Sequence, residues 1–298
     1  MTKMRNASRT AQYMALFRAI ESCRPAKRRL FHDTLARDFL SPSLRFAVAV
    51  SRMPLVGPVI PWIIDTAWPG ARTSGIARTR FIDDRLSRAL REGFRQVIIL
   101  GAGFDSRSYR MEDLRSVRVI EIDHPATSRL KRSILERSLG RMPSNVQFLE
   151  IDFNNQSLEV GIRDIQFEIA LPTIVLWEGV TNYLTGEGVD ATFRSLRSIA
   201  RRCRVIFTYV DKAVLDPNAS FEGATNAKSR IESVGENWTF GFDPVELPKY
   251  TAQHGFRLVE DVGSQEYRML YMPPRKRNLR GYAWYRIAVA ERWDNNII

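Results

Sequence analysis

The alternation of apolar and polar positions divides the chain into two unequal parts. Over residues 8–95 apolar positions recur at helical spacing, with Tyr13, Leu16, Phe17 and Ile20 following Ser8, a candidate cap. A second short helix is expected over His32–Leu40, closed by Ser41-Pro42. Pro54, Pro58 and Pro61 interrupt the next segment, and Ile76–Arg91 reads as a long charged helix. From residue 96 onward short runs rich in β-branched residues take over: Gln96–Leu100, Val117–Ile122, Val146–Ile151, Ile169–Trp177 and Val205–Val210. Helical candidates lie among them at Pro125–Leu139, Gln156–Ile162, Gly188–Ala200 and Ala219–Gly235. This alternation predicts an α/β fold, a doubly wound, Rossmann-like parallel sheet. Two further strand-like runs, Phe256–Val262 and Tyr282–Ala290, are expected to form an antiparallel pair at the sheet edge. The expected organisation is a helical cap or substrate lid over 1–95 and a Rossmann-like domain over 96–298. That domain carries a lid insertion at about 211–255.

Polar residues stand where each parallel strand hands over to a loop. Asp105 and Arg107 follow the first, Asp123 the second, Asp152 the third, Glu178 the fourth, and Tyr209 with Asp211 the fifth. Open α/β sheets bind ligands outside the carboxyl ends of their strands, so these side chains are expected to converge on one crevice. Asp105 and Asp152 would serve equally well as helix caps. Gly101 and Gly103 flank Ala102 after the first strand, and Asp123 lies 22 positions beyond Gly101, where a ribose-binding acid belongs. Ser106 occupies the place of the third glycine of the dinucleotide fingerprint, which argues against a pyrophosphate cradle and a nicotinamide oxidoreductase. A cofactor with a ribose and no phosphates fits better, and S-adenosylmethionine is such a molecule.

Net charge is +12, and 38 of the 45 basic residues are arginine, scattered over the whole chain. That scatter suits a coding bias as well as it suits anionic small molecules or RNA. Neither an RNA-binding module nor a basic stripe interleaved with aromatics is apparent, so nucleic acid is not expected as a partner. Cys23 and Cys203 are too few for a disulfide framework or a four-ligand zinc site, so no metal is expected. No apolar run reaches the ~20 residues of a bilayer span, and the first residues lack a signal-peptide core. Membrane association is therefore not expected, the cytoplasm is the expected location, and a homodimer is compatible with the sequence. His32, His124 and His254 have no neighbouring Ser or Cys arrangement that would suggest a triad. No catalytic residue is assigned.

Taken together, Leu100-Gly-Ala-Gly-Phe-Asp-Ser-Arg107, Glu121-Ile-Asp-His-Pro125, Asp152-Phe153 and Trp177-Glu-Gly-Val-Thr-Asn-Tyr-Leu184 resemble the leucine carboxyl methyltransferase family, in particular its bacterial branch. Arg18–Ser22, Phe31–Ala36 and Ala77–Asp83 extend the resemblance, which runs from about residue 10 to the C-terminus. It implies a class I methyltransferase fold with S-adenosylmethionine as cofactor. By resemblance, Arg78 pairs with the methionine carboxylate, while Gly101 and Gly103 admit the methionine and ribose moieties. Asp123 accepts the ribose hydroxyls, Asp152 the adenine amino group, Phe153 offers its backbone NH, and Glu178 lies near the methionine amino group. A solvated helix face is the competing reading of Arg78, which has Arg80 and Arg85 as neighbours.

The acceptor pocket is expected between the N-terminal helices and the 211–255 segment, where Tyr13, Phe17, Trp238 and Phe240, with Tyr209 at the fifth strand end, supply aromatic walls. The expected activity is O-methylation of a small specialised metabolite, aromatic or carboxylate-bearing. C- or N-methylation of a ring such as an indole is the alternative, and a tRNA-modifying role is a more distant one.

Overall fold

The computed structural model describes residues 9–151, 158–163, 167–216, 218–219, 221–232, 237–272 and 280–293. Ser8, Asp152 and Phe153 lie outside them. Seven strands form one sheet: β1 (Gln96–Leu100), β2 (Arg118–Asp123), β3 (Val146–Glu150), β4 (Thr173–Trp177), β5 (Arg202–Val210), β6 (Arg257–Gly263) and β7 (Tyr285–Trp293). The order across the sheet is β3-β2-β1-β4-β5-β7-β6, with β7 antiparallel to both its neighbours. The expected antiparallel C-terminal pair thus lies at the sheet edge. β7 inserts between β5 and β6, and only β6 is marginal.

Eleven helices accompany the strands among the described residues: α1 (Arg9–Ser22), α2 (Pro42–Ser51), α3 (Val59–Ala67), α4 (Ala71–Arg91), α5 (Arg107–Arg110), α6 (Pro125–Leu139), α7 (Leu158–Arg163), α8 (Gly186–Ile199), α9 (Ala224–Glu232), α10 (Leu247–Gln253) and α11 (Ser264–Tyr271). Period-two alternation sorts the buried strand residues onto two faces. Ile98, Leu100, Ile120 and Val175 pack under Val189, Phe193 and Leu196 of α8. Val97, Ile99, Val119 and Ile174 pack under Phe81, Ile82 and Leu86 of α4. Both faces are covered, which is why the strands read as continuous apolar runs.

Three elements differ from the sequence reading for tertiary reasons. The helix expected over His32–Leu40 is a series of turns. The Asp33 carboxylate accepts from the Leu35 and Ala36 amides at 3.2 and 3.0 Å, and from Arg18 Nε at 2.8 Å, which fixes the chain locally as a cap without a helix behind it. The charged helix starts at Ala71, not Ile76. Its polar first turns are held by the Arg72–Asp65 pair (2.9 and 2.5 Å) and by Ser74 on Tyr267 (2.6 Å). β4 begins at Thr173 because Pro172 offers no amide to a ladder, and its carbonyl instead accepts from Arg95 and Gln96. α11 was not foreseen. Its Arg268 is fully buried and donates to the Gly281 carbonyl at 2.7 Å.

Candidate active site

The first strand ends in Gly101 and Gly103, both with positive φ (60° and 42°). A Cβ at Gly101 would clash with Val180 Cγ2, so that position admits no side chain. The turn brings the Gly103 amide onto Asp123 Oδ2, while the His124 amide donates to Oδ1 at 2.7 Å. Each oxygen keeps a lone-pair site for a further donor. Burial raises the Asp123 carboxyl above its ordinary range, and these two amides pull against that rise. His124 caps α6, accepting from the Ala126 amide at 3.3 Å, so its role in the turn is structural.

Beside this turn lies a cavity of about 450 Å³ at the carboxyl ends of β1, β2 and β4. Arg78, Gly101, Gly103, Asp105, Arg107, Asp123 and Glu178 all line it, so the strand ends of β1, β2 and β4 converge as expected, whereas Asp211 after β5 does not reach the lining. Arg78 is 6% exposed, which sets aside a solvated helix face. Its Nε donates to Glu178 Oε1 at 2.7 Å and its guanidinium lies 4.6 Å from the Tyr285 ring centroid. Nη1 has no hydrogen-bond acceptor among the described residues.

Beneath the cavity runs a chain of buried ion pairs that sequence reasoning left unassigned. Arg107, 3% exposed, reaches three carboxylates: Asp83 at 2.7 Å, Asp105 at 2.5 Å and Glu178 at 2.8 Å. Asp83 also accepts from Arg110 at 2.8 Å, and Asp33 accepts from Arg18 at 2.8 Å and Ser106 at 2.5 Å. Arg18, Asp33 and Asp83 sit inside the three segments that carry the N-terminal resemblance, which was the available signal. For Glu178 burial alone would raise the carboxyl, but Arg107 and Arg78 outweigh it and hold it low. Asp105 is likewise lowered to about 2, burial being overcome first by Arg107.

These lowered carboxyls give a signed pH dependence. Their stabilisation is complete above the ordinary carboxylate range and is lost as pH falls from near 3.8 towards 2 for Asp105. The thermal midpoint should drop across that window, and Asp105→Asn should flatten the drop. An equal slope in variant and parent would show that Asp105 is not held low.

Part of the lining is aromatic. Tyr13, Phe17 and Trp238 line the cavity as expected. Tyr13 meets Trp68 edge-on at 5.4 Å between centroids, and Trp68 lies 6.4 Å from Tyr282. Tyr282 and Tyr285 come from the C-terminal strand region, which the sequence did not place at the site. Tyr282 is the one non-glycine residue with positive φ (60°) among the described residues. Its carbonyl is held by Ser264 Oγ at 2.5 Å, and Arg268 holds the preceding carbonyl, so neighbouring structure fixes the strained conformation. The strand expected from Tyr282 consequently begins at Tyr285. Two expected wall residues are elsewhere. Tyr209 is in the core, its hydroxyl 2.9 Å from both Asp261 oxygens and from Arg286 Nε. Phe240 packs against Phe242 at 4.8 Å, away from the cavity lining. Of the 211–255 segment only Trp238 reaches the lining among the described residues.

No group of three or more potential metal ligands and no helix long and apolar enough to cross a membrane occurs among the described residues.

A sheet of order 3-2-1-4-5-7-6 with its seventh strand reversed, and a glycine turn facing an acid across β1 and β2, is the fold of class I S-adenosylmethionine-dependent methyltransferases. The sequence pattern of one family within that class, "Leucine carboxyl methyltransferase", matches residues 11–197. The chain belongs to the leucine carboxyl methyltransferase family. Two bacterial relatives bear the name "Putative S-adenosyl-L-methionine-dependent methyltransferase". One, from Frankia alni, is 32% identical over 197 residues, covering 64% of each chain. The other, from Parafrankia sp., is 29% identical over 252 residues, covering 84% of this chain and 76% of its own. The match thus spans just under two thirds of the Frankia alni protein. A DUF574 family protein from Streptomyces avermitilis shares the fold, with a TM-score of 0.60 at 12% identity over 93% of this chain and 96% of that one.

Proposed function

We propose that this chain binds S-adenosylmethionine over the Gly101–Gly103 turn and transfers its methyl group to oxygen of a small aromatic acceptor. The observation that carries the reading is one cavity with two kinds of lining. Asp123 and the open Nη1 of Arg78 offer polar contacts, and Tyr13, Phe17, Trp68 and Tyr282 offer aromatic faces. The residues fit the cofactor. The two Asp123 oxygens match a pair of ribose hydroxyls, and a planar guanidinium already oriented by Glu178 suits the methionine carboxylate. Glu178 keeps its charge beside the amino group. Bound there, S-adenosylmethionine would supply a methyl group activated by its sulfonium; transfer would leave a neutral thioether, and the proton of the acceptor hydroxyl would pass to bulk water.

What the protein contributes is alignment and exclusion of water. Positioning of this kind is worth ~7–11 kcal/mol, so no strong general base is demanded. Consistent with that, the carboxylates at the cavity floor, Asp105 and Glu178, are both engaged by arginine. The test uses S-adenosylmethionine with a deuterated methyl group and a panel of small phenols, aromatic acids and indoles, read by mass spectrometry. Label on oxygen is the expected result, and label on ring carbon or nitrogen would replace this reading. Tyr13→Ala should lower turnover by roughly tenfold or more through lost alignment. Affinity for S-adenosylhomocysteine should stay nearly unchanged, and equal loss of both would refute the assignment of Tyr13 to the acceptor.

A further inference from the structure

A second apolar surface lies outside the cavity. Phe46, Met53, Leu55, Val56, Trp62 and Ile63 are all exposed, Leu55 at 94%, Phe46 at 71% and Trp62 at 66%. They belong to α2, α3 and the turn between them. Ile60 and Ile64, one turn apart, pack inward against the core, while Val59, Trp62 and Ile63 of the same helix stand exposed. α3 is thus apolar on both faces and covered on only one. A helix that is apolar all round is ordinarily buried, and a contiguous exposed apolar surface marks a site of association. α3 leads directly into Trp68 of the cavity lining, so this surface and the cavity are neighbours.

The charge around this surface selects its partner. Residues 39–64 contain no Asp or Glu, and their two cations, Arg45 and Arg52, are paired with no carboxylate among the described residues. Arg45 donates to the Asp38 and Leu40 carbonyls at 2.6 and 3.0 Å, and Arg52 Nε to Cys23 Sγ at 3.4 Å. The Arg52–Cys23 contact sets the end of α2 beside the loop after α1. There Lys27 and Arg28 are exposed and, with Arg29, also lack a carboxylate partner among the described residues. An apolar surface rimmed by unneutralised cations is complementary to an anionic bilayer, whose acyl boundary takes the apolar side chains and whose headgroups take the cations. A second copy of the chain fits poorly, because a two-fold contact would set these cations against their own counterparts. We infer that the exposed face of α2 and α3 docks this protein on the surface of anionic membranes, with Leu55 and Trp62 entering the headgroup boundary. Docking of this kind needs no spanning segment, so the lack of one in the sequence does not bear on it.

The experiment is co-sedimentation with vesicles of phosphatidylcholine alone and of phosphatidylcholine and phosphatidylglycerol in equal parts. Wild-type protein should bind the anionic vesicles roughly tenfold or more tightly than the neutral ones, and the difference should shrink with added salt. Leu55→Asn combined with Trp62→Gln should cut binding to the anionic vesicles roughly tenfold or more. The thermal midpoint of that variant should hold, since both side chains are exposed. Lys27→Gln with Arg28→Gln should reduce the preference for anionic over neutral vesicles. Brominated acyl chains in the anionic vesicles should quench the tryptophan fluorescence of the wild type. Trp62→Phe, which keeps the apolar contact, should bind as well but lose most of that quenching. No binding, equal binding to both vesicles, unchanged binding of the Leu55→Asn, Trp62→Gln variant, or unchanged quenching in Trp62→Phe would overturn the inference. So would conversion of a wild-type dimer to a monomer by Leu55→Asn with Trp62→Gln, which would show that a second copy covers the face. The assay uses neither S-adenosylmethionine nor an acceptor, so its failure leaves the cofactor reading standing.

Discussion

Replacing Arg107 with alanine should cost about 3–5 kcal/mol of stability, the scale for stripping one partner from a buried ion pair. Arg107 is fully enclosed and ties Asp83 of α4, Asp105 after β1 and Glu178 after β4 to a single guanidinium. Removing it leaves three largely buried carboxylates with one cation fewer, and Arg110 and Arg78 each serve only one of them. Lysine is no remedy, because a point charge does not present donors in three directions at once. Arg107→Lys should therefore recover less than half of the loss. Urea unfolding followed by tryptophan fluorescence checks both variants. A loss below about 1 kcal/mol for alanine, the value of a surface pair, would show that the network does not hold the floor of the site.

The second large effect is on cofactor binding. Asp123→Ala should weaken the affinity for S-adenosylmethionine at least about tenfold, since hydrogen bonds to a charged group contribute ~1.5–3 kcal/mol each and two ribose hydroxyls would lose their acceptor. The fold should survive. Asp123 is at the open end of β2, and the amides of Gly103 and His124 that it accepts border the cavity, where water can replace it. Asp123→Asn separates charge from shape and should lie between the two.

The contrast between these two residues shows what a sequence can disclose here. The place of Asp123 at the cavity is legible because its position follows from local order: an apolar run, a glycine turn, a second run and a terminal acid. The same local order placed β1 at Gln96–Leu100 and α6 at Pro125–Leu139 with the bounds the structure has. Where an element depends on distant partners the pattern fails. Residues 32–40 are turned by Arg18 and Ser106, α4 is extended by Asp65 and Tyr267, and α11 carries a buried arginine that makes it look like a surface segment. The aromatic lining is the extreme case. Tyr282 and Tyr285 reach the cavity only because β7 inserts between β5 and β6, and nothing in residues 281–293 announces that insertion. Tyr209 and Phe240 illustrate the converse. Aromatic character, at a strand end for Tyr209 and in the 211–255 segment for Phe240, suggests a pocket wall, but Tyr209 belongs to the core and Phe240 packs against it.

The central claim is that the crevice over Gly101, Gly103 and Asp123 is built for a ribose without phosphates. The most direct test is a calorimetric titration of the wild-type protein with S-adenosylhomocysteine and, separately, with NAD. The expected outcome is one S-adenosylhomocysteine site per chain with a micromolar constant, insensitive to added inorganic phosphate, and no heat with NAD. Binding of NAD without binding of S-adenosylhomocysteine would contradict it.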